Sequence, residues 1–404
     1  MFRVAFLILL IVKATWKMIL EWLNVLHASK TKLEDLKTLR DKVGEEDLRK
    51  AKSYLRERSI LRIVSELVEL VLILYLVTIG LPKLEKSFAQ HRFQAHLFFG
   101  TAALIVYLVR LPFRAYSIFV IENKYGFNTT TTKTFLKDQI LTVLLYAVFG
   151  LALVPLLMWL LSYPVWWWQL SILAFGFITF FWFIQPVLIA PLFYRFTKLE
   201  DEKLSQKLKE LFKKANTKVP SIYRVDASKR TKKQNAYVTG IGRSRRLVLY
   251  DTLLNYPEDE ILSIVAHELG HHAKKHILKN IFLFSAFATI VFYLTNLVYA
   301  HILKTNLFSI EKPHTAFLYA LLFVSSLTYF LMPIVNFLSR KMEYEADAYS
   351  AKLAGVAPLV RALKRLVKEN LSNPNPLPLY KVWYYTHPAP EERIVRLIEK
   401  TSTN

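Results

Sequence analysis

Long apolar runs recur along the chain and are separated by polar connections. A helix needs about 20 mostly apolar residues to cross a bilayer, and six runs in the sequence meet this length. We therefore predict that these runs are membrane-spanning helices. They lie at Leu61–Leu81, Ala95–Arg114, Ile140–Leu161, Val165–Leu188, Asn280–Ala300 and Thr315–Leu338.

A seventh apolar run near the N-terminus, Val4–Val12, is shorter and is followed by Lys13, Lys17 and Glu21. A run of this length also suits the apolar core of a signal peptide. No small-residue cleavage site follows it, so we interpret it as a retained span. The prediction is then an all-α membrane protein with seven transmembrane helices and a cytosolic α+β portion.

Positive charge is concentrated in alternate connections. The chain has 54 Lys and Arg against 31 Asp and Glu, a formal net charge of +23. In a soluble protein this charge would suggest a nucleic-acid partner. Cytoplasmic loops of membrane proteins carry an excess of Lys and Arg, so we expect a lipid bilayer as partner and no nucleic acid. The connections assigned to the cytosol are His27–Arg62, Arg110–Lys137, Tyr194–Lys279 and the tail after Leu338.

This sidedness divides the chain into four parts. Residues 1–193 hold five spans and a charged cytosolic loop at 27–62, and residues 279–338 hold the last two spans. Residues 194–278 are predicted to form a cytosolic portion with a β-hairpin and a metal-binding helix. Residues 339–404 are predicted to form a cytosolic helical tail that carries a third metal ligand.

The segment "VAHELGHHAKKH" at 265–276 carries the candidate chemistry. His267 and His271 are four residues apart and share one face of a helix, where their neutral imidazoles could hold one zinc ion. Glu268 lies one step round the helix, close enough to activate a water molecule. This is the H-E-x-x-H arrangement of zinc proteases. The chain has no Cys, which excludes thiolate ligands and a Cys nucleophile.

A catalytic zinc site needs a third protein ligand and one open position. The metzincin pattern is excluded because Lys274 stands where it requires Gly and Ile277 where it requires His. The acidic stretch "SRKMEYEADAYS" at 339–350 follows the last span, and the His motif precedes the span before it. Antiparallel spans bring both motifs to the same membrane face. Glu343 is the candidate ligand, and Asp347 is the candidate carboxylate behind a ligand His; a solvated charged face is the alternative.

These motifs resemble the type I CAAX prenyl protease family, a group of integral-membrane zinc metalloproteases. "HELGHH" is followed by a span and by a second span that ends in "NFLSRKMEYEADAYSAKLAG". The resemblance implies a hollow barrel of seven membrane helices around a chamber, with the zinc site at its cytosolic end. It also implies one Zn²⁺ per chain, held by His267, His271 and Glu343, with Glu268 as the general base. Further matches lie at 122–131, 189–201, 235–240 and 386–394.

The stretch "NAYVTGIGRSRRLVLYD" at 235–251 predicts two strands around a turn that contains Gly. In zinc proteases with a Glu third ligand, an Asn-Ala edge strand lies beside the cleft and pairs with extended substrate. Asn235 and Ala236 match this pattern and are the candidate substrate-binding residues. An ordinary surface hairpin is the alternative.

The tail segment "YTHPAPEERI" matches positions that the family places near the cleft. His387 can donate a hydrogen bond to a developing oxyanion, and Arg393 can hold a carboxylate or brace a ligand. A Pro-rich turn before a final helix is the alternative.

Four other polar residues are harder to assign. His272 and His276 lie off the face that His267 and His271 share, so we interpret both as non-ligands and place His276 at the end of the same helix. Glu66 and Glu69 lie in a predicted span, where acids are often functional. They could line a water-filled interior or pair with nearby Arg62.

We predict an integral-membrane zinc endopeptidase that acts on a peptide or protein substrate, prenylated or not. One alternative is a quality-control protease like the shorter bacterial heat-shock membrane protease, which has about four spans. Another is a membrane channel or scaffold with a structural zinc site. Glu268 argues against the last, because a structural site needs no base and is closed by a fourth protein ligand.

Overall fold

The computed structural model describes residues 2–218, 221–240, 245–305, 308 and 310–402, and most of them lie in α-helices. Several helices run into the next through short π-helical or 3-10 segments and form longer rods. The helices are α1 (Phe2–Lys30), α2 (Glu45–Tyr75), α3 (Leu81–Phe88), α4 (Gln94–Tyr116), α5 (Thr132–Leu160), α6 (Trp166–Ile184), α7 (Ala190–Phe193), α8 (Glu202–Lys214), α9 (Glu258–Ala273), α10 (His276–Thr305), α11 (Pro313–Thr328), α12 (Met332–Ala354), α13 (Val356–Glu369), α14 (Pro378–Tyr384) and α15 (Pro390–Ser402).

Five rods are long and apolar enough, by length and composition, to cross a membrane. Each coincides, to within one residue at the ends, with or contains one of the spans predicted from Ala95–Arg114 onward, so these five predictions are confirmed as apolar helices of sufficient length. The last rod joins α11 to α12 and extends well beyond its apolar part. The rods are Gln94–Glu122, Thr132–Leu160, Trp166–Phe193, His276–Thr305 and Pro313–Ala354.

The other two predicted spans, Val4–Val12 and Leu61–Leu81, lie on α1 and on the rod that runs from α2 into α3. Neither is among the five apolar rods of the described chain. Lys13, Lys17 and Glu21 follow the first run, and charged side chains interrupt the second, so the mean hydropathy of each helix is lowered. The molecule is thus a mostly helical membrane protein with five apolar rods, and the count of seven spans stays a prediction.

Ion pairs join α1, α2 and α4 and differ from one of the two alternatives left open for Glu66 and Glu69. Arg62 pairs with Glu21 and not with the acids of the predicted span. The Lys17–Glu66 pair lines a cavity of about 640 Å³ between the helices, as expected for acids that face an interior. The pairs are Lys17–Glu66, Glu21–Arg62 (2.8 Å) and Glu69–Arg110 (2.9 Å from Oε2 to Nε).

The predicted charged loop at 27–62 is largely helical, which corrects that part of the sequence interpretation. It holds the end of α1, a 3-10 turn at Leu33–Asp35 and the first half of α2. Between the helices, Leu36 and Leu39 are buried and pack in one cluster with Leu363 of α13 and Ile394 of α15. The N-terminal linker therefore holds the C-terminal helices in place.

A four-stranded sheet lies in the part predicted to be cytosolic. Its strand order is β1 (Phe196–Lys198), β2 (Ser221–Val225), β4 (Arg246–Tyr250) and β3 (Ala236–Thr239). Strands β3 and β4 are antiparallel, which confirms the predicted hairpin; its turn at 241–244 lies outside the described residues. Side chains of β4 alternate between the faces of the sheet: Leu247 and Leu249 pack towards α8 and α9, and Val248 packs on the other side.

Candidate metal centre

Two histidines of α9 lie side by side at its C-terminal end. The helix starts with three acidic residues, Glu258, Asp259 and Glu260, which suit the positive end of the helix dipole. The spacing of four then places His267 and His271 on one face, with their Nε2 atoms 3.1 Å apart. His267 is buried and His271 is half-buried. The local geometry thus matches the prediction for a pair of ligands.

Glu343 of α12 completes a triangle of donor atoms. Its Oε2 lies 3.4 Å from His267 Nε2, and its Oε1 lies 3.2 Å from His271 Nε2. Tetrahedral zinc bonds of 2.0–2.1 Å place donor atoms about 3.3 Å apart, so these three side chains fit a zinc ion. Glu343 is 5% exposed. A buried carboxylate needs a positive partner, and a metal ion held with the two histidines would supply one.

A glycine inside the motif lets α9 and α12 approach closely. A Cβ atom at Gly270 would lie 2.9 Å from the Cα of Ala346 and 3.1 Å from its carbonyl oxygen. Such distances are shorter than real Cβ contacts, so only glycine fits this helix crossing. The close approach brings Glu343, one turn before Ala346, up to the histidine pair.

Asp347 and Arg393 lie behind the triangle. Asp347 Oδ1 lies 2.9 Å from His267 Nδ1, and Arg393 binds Asp347 through Nε at 2.8 Å and Nη2 at 2.6 Å. Burial alone would lower the pKa of Arg393, but the Asp347 carboxylate raises it above its ordinary value. The guanidinium therefore stays charged and braces Asp347, as the sequence interpretation allowed.

Glu268 and His387 face the cleft beside the triangle. Burial raises the pKa of the Glu268 carboxyl above its ordinary value, although the neighbouring His267 opposes this rise. A carboxylate of raised pKa is better suited to take and return a proton near neutral pH. His387 Nδ1 lies 2.7 Å from Glu343 Oε2, and the His387 side chain is 64% exposed. His387 and Glu268 line the same cleft, where an exposed imidazole can donate a hydrogen bond to substrate.

The cleft has a volume of about 680 Å³, and strand β3 forms one of its walls. This strand pairs only with β4 in the described sheet, so its other edge is unpaired. Asn235 immediately precedes the strand, and its Oδ1 accepts a hydrogen bond from Ala236 N at 2.9 Å. The cleft thus brings Asn235 and Ala236 together with Glu268 and His387, while their roles stay predictions.

His276 differs from its sequence-based placement. Helix α9 ends at Ala273, and His276 is the first residue of α10, not the end of the motif helix. Its Nδ1 lies 2.9 Å from His271 Nδ1, and its Nε2 lies 3.1 Å from Glu345 Oε2. The sequence pattern did not predict this contact because it indicated one continuous helix up to His276. The structure instead ends α9 at Ala273 and starts a new helix at His276.

Two family patterns match the chain and together cover most of it. Peptidase family M48 matches residues 198–401, which include α9 and α12. The pattern described as CAAX prenyl protease N-terminal, five membrane helices, matches residues 24–195. The boundary between them falls where the membrane helices give way to the sheet.

Characterised relatives and a crystal structure agree with these matches. CAAX prenyl protease 1 of Saccharomyces cerevisiae is 32% identical over 406 residues, covering 91% of this chain and 89% of the relative. The CAAX prenyl protease 1 homolog of Arabidopsis thaliana is 31% identical, covering 92% of each chain. The crystal structure of S. mikatae Ste24p matches with a TM-score of 0.91 and 30% identity, covering 97% of this chain and 98% of that one.

An H-E-x-x-H helix and a carboxylate from a second helix, set among membrane helices, define a membrane metallopeptidase. The family matches and the relatives support this class over the channel or scaffold alternative. The chain belongs to peptidase family M48, and within it to the type I CAAX prenyl proteases, which confirms the resemblance found in the sequence.

Proposed function

We propose that the chain is a zinc-dependent endopeptidase in which His267, His271 and Glu343 hold one Zn²⁺. The observation that carries this proposal is the triangle of donor atoms, with sides of 3.1 to 3.4 Å, beside the Glu268 carboxylate. Within the described chain, no fourth histidine or carboxylate joins the group. That leaves room for substrate, as in catalytic sites.

The roles of the surrounding side chains follow from their positions. When bound, zinc supplies Lewis-acid chemistry that polarises a scissile carbonyl and activates water. Glu268 takes a proton from the attacking water and returns it to the leaving amine. His387 donates a hydrogen bond to the oxyanion that develops on the carbonyl oxygen. Asp347, braced by Arg393, orients His267 through its Nδ1.

Substrate is held in extended form along β3. Its unpaired edge offers main-chain hydrogen bonds to an added strand, and Asn235 adds a side-chain amide at the start of that edge. Main-chain contacts depend little on substrate side chains, so sequence preference is loose. The substrate is a peptide or protein, and the relatives named CAAX prenyl proteases make prenylated chains the first to test.

The finer membrane arrangement is part of the same proposal. Helices α1 and α2 also cross the bilayer, which makes seven spans arranged as a hollow barrel. The ion pairs among α1, α2 and α4 support this, because paired charges that face an interior can be tolerated in a membrane. Residues 194–278, residues 339–404 and the metal centre lie on the cytosolic side in this proposal, which the positive charge of these connections supports.

The test uses the purified full-length chain, metal analysis, and matched prenylated and unprenylated peptides. The wild type should carry one zinc and cleave peptide. Glu268→Gln should keep the zinc and lose activity, whereas Ala at His267, His271 or Glu343 should lose the metal. Glu258→Gln, on the same helix and paired with lysines of α8, is the matched control and should stay active. An active Glu268→Gln protein would refute the mechanism.

The two peptides separate the candidate substrates. Cleavage of both at similar rates would favour broad substrate use, as in the quality-control alternative. Cleavage of the prenylated peptide alone would show that the lipid is recognised.

A further inference from the structure

His276 and Glu345 form a second support behind the metal triangle, on the opposite side from Asp347. His276 is 1% exposed although it starts a membrane helix. Its ring lies 5.0 Å from the ring of His271, at an interplanar angle of 74°. Lys279 also contacts Glu345, with its Nζ 3.2 Å from Oε2. A buried imidazole between a ligand histidine and a carboxylate needs an explanation beyond packing.

The ring nitrogens of these side chains can be assigned in only one consistent way. His271 Nε2 faces His267 and Glu343, so it is the nitrogen available to a metal. His271 Nδ1 then carries the proton and donates it to His276 Nδ1. His276 in turn carries its proton on Nε2 and donates it to Glu345. With this assignment, each donor in the series from His271 through His276 to Glu345 meets an acceptor.

We propose that His276, held by Glu345, is a positioning residue that fixes the orientation and tautomer of His271. The proposal rests on the proposed function, because it takes His271 as a metal ligand. The two ligand histidines are then supported differently. His267 meets the Asp347 carboxylate directly at 2.9 Å, whereas His271 reaches a carboxylate through a second imidazole.

The backbone at the start of α10 makes this contact possible. Lys275 has a φ of 55°, in the left-handed region that non-glycine residues rarely adopt. This residue turns the chain between α9 and α10 and directs the His276 ring back towards His271. In a continuous helix, a residue five positions after His271 would project from another face. The support for His271 therefore comes from the first residue of a membrane helix.

The experiment compares zinc affinity in the full-length wild type and in variants, by competition with a chelator. His276→Phe fills the space without a hydrogen bond and should weaken zinc binding by about 10- to 100-fold, the usual effect of losing such a partner. His276→Gln can still accept a hydrogen bond and should recover part of the affinity. The visible spectrum of the Co²⁺-loaded protein should shift in His276→Phe, because the His271 ring is no longer fixed.

The matched control is His314→Phe, the same change at a histidine that is 2% exposed and packs against Phe98. It should bind zinc as the wild type does. If His276→Phe fails to fold, Glu345→Ala provides the test, because Glu345 is partly exposed and its loss should disturb the fold less. The Glu345→Ala variant should weaken zinc binding several-fold. Wild-type zinc affinity in either folded variant would overturn the proposal. A wild type that holds no zinc would instead refute the proposed function.

Discussion

Gly270 lies inside the metal-binding motif and faces the backbone of α12, so Gly270→Ala is a direct test of how the site is assembled. The added Cβ would meet Ala346 Cα at 2.9 Å and the side chain of Tyr349 at 3.1 Å. Ordinary carbon contacts lie at about 3.5 Å or more. The helices must therefore separate by about 0.6 Å, because backbone atoms cannot rotate out of the way.

That separation is large compared with what a metal site tolerates. Ligand distances in a working site hold to within about 0.2 Å, and Glu343 moves with α12 while the histidines stay on α9. We expect zinc affinity to fall by at least about tenfold. Overpacking costs about 1 to 3 kcal/mol, partly offset by the better helix propensity of Ala, worth about 1 kcal/mol. The expected net loss of folding stability is thus about 0 to 2 kcal/mol.

The assay measures zinc affinity and the unfolding midpoint of the full-length protein side by side. Gly176→Ala in α6 is the control, because nothing lies within 4 Å of the added atom; it should leave both quantities unchanged or raise stability. Adding Ala346→Gly to Gly270→Ala should not restore zinc binding, since the clash is with the Cα and carbonyl oxygen of Ala346. Wild-type affinity in Gly270→Ala would refute the argument that close helix approach sets the site.

Two further predictions concern sidedness and substrate binding. The chain has no Cys, so a single Cys introduced at an exposed position, Ser228 or Ser87, can be labelled selectively. An impermeant thiol reagent should reach Ser228→Cys only from the cytosolic side of the membrane and Ser87→Cys only from the other side. The reverse pattern would contradict the charge argument. Asn235→Ala should keep zinc but lower kcat/KM about five- to tenfold for prenylated and unprenylated peptides alike, since a hydrogen bond to substrate contributes roughly 1 to 1.5 kcal/mol. Unchanged kinetics would show that β3 does not bind substrate.

The sequence predicted the site best where chemistry depends on local spacing or on simple topology. The spacing of four placed His267 beside His271, and two antiparallel spans brought Glu343 to them from 76 positions further along the chain. The β3–β4 hairpin followed from alternation of side chains around a Gly-containing turn. The first and the third rest on local spacing in the sequence, and the second rests on the order of the two apolar helices.

The parts that the sequence did not predict depend on tertiary contacts. A helix break and a left-handed residue before His276 return its ring to the site, and neither follows from helical periodicity. The partners of Glu66 and Glu69 come from α1 and α4, so the alternative that paired them with nearby Arg62 was wrong. The linker after α1 looked like a charged loop because its few buried leucines meet residues more than 300 positions away.

That linker has a consequence for how the protein is made. Chains are synthesised and fold from the N-terminus, yet the cluster that buries Leu36 and Leu39 also needs residues of α13 and α15. Arg393, which braces Asp347, also arrives in the last stretch of the chain. A nascent chain therefore inserts its membrane helices before its metal centre is complete. Proteolytic competence therefore depends on α13 and α15 joining a membrane part that has already been inserted.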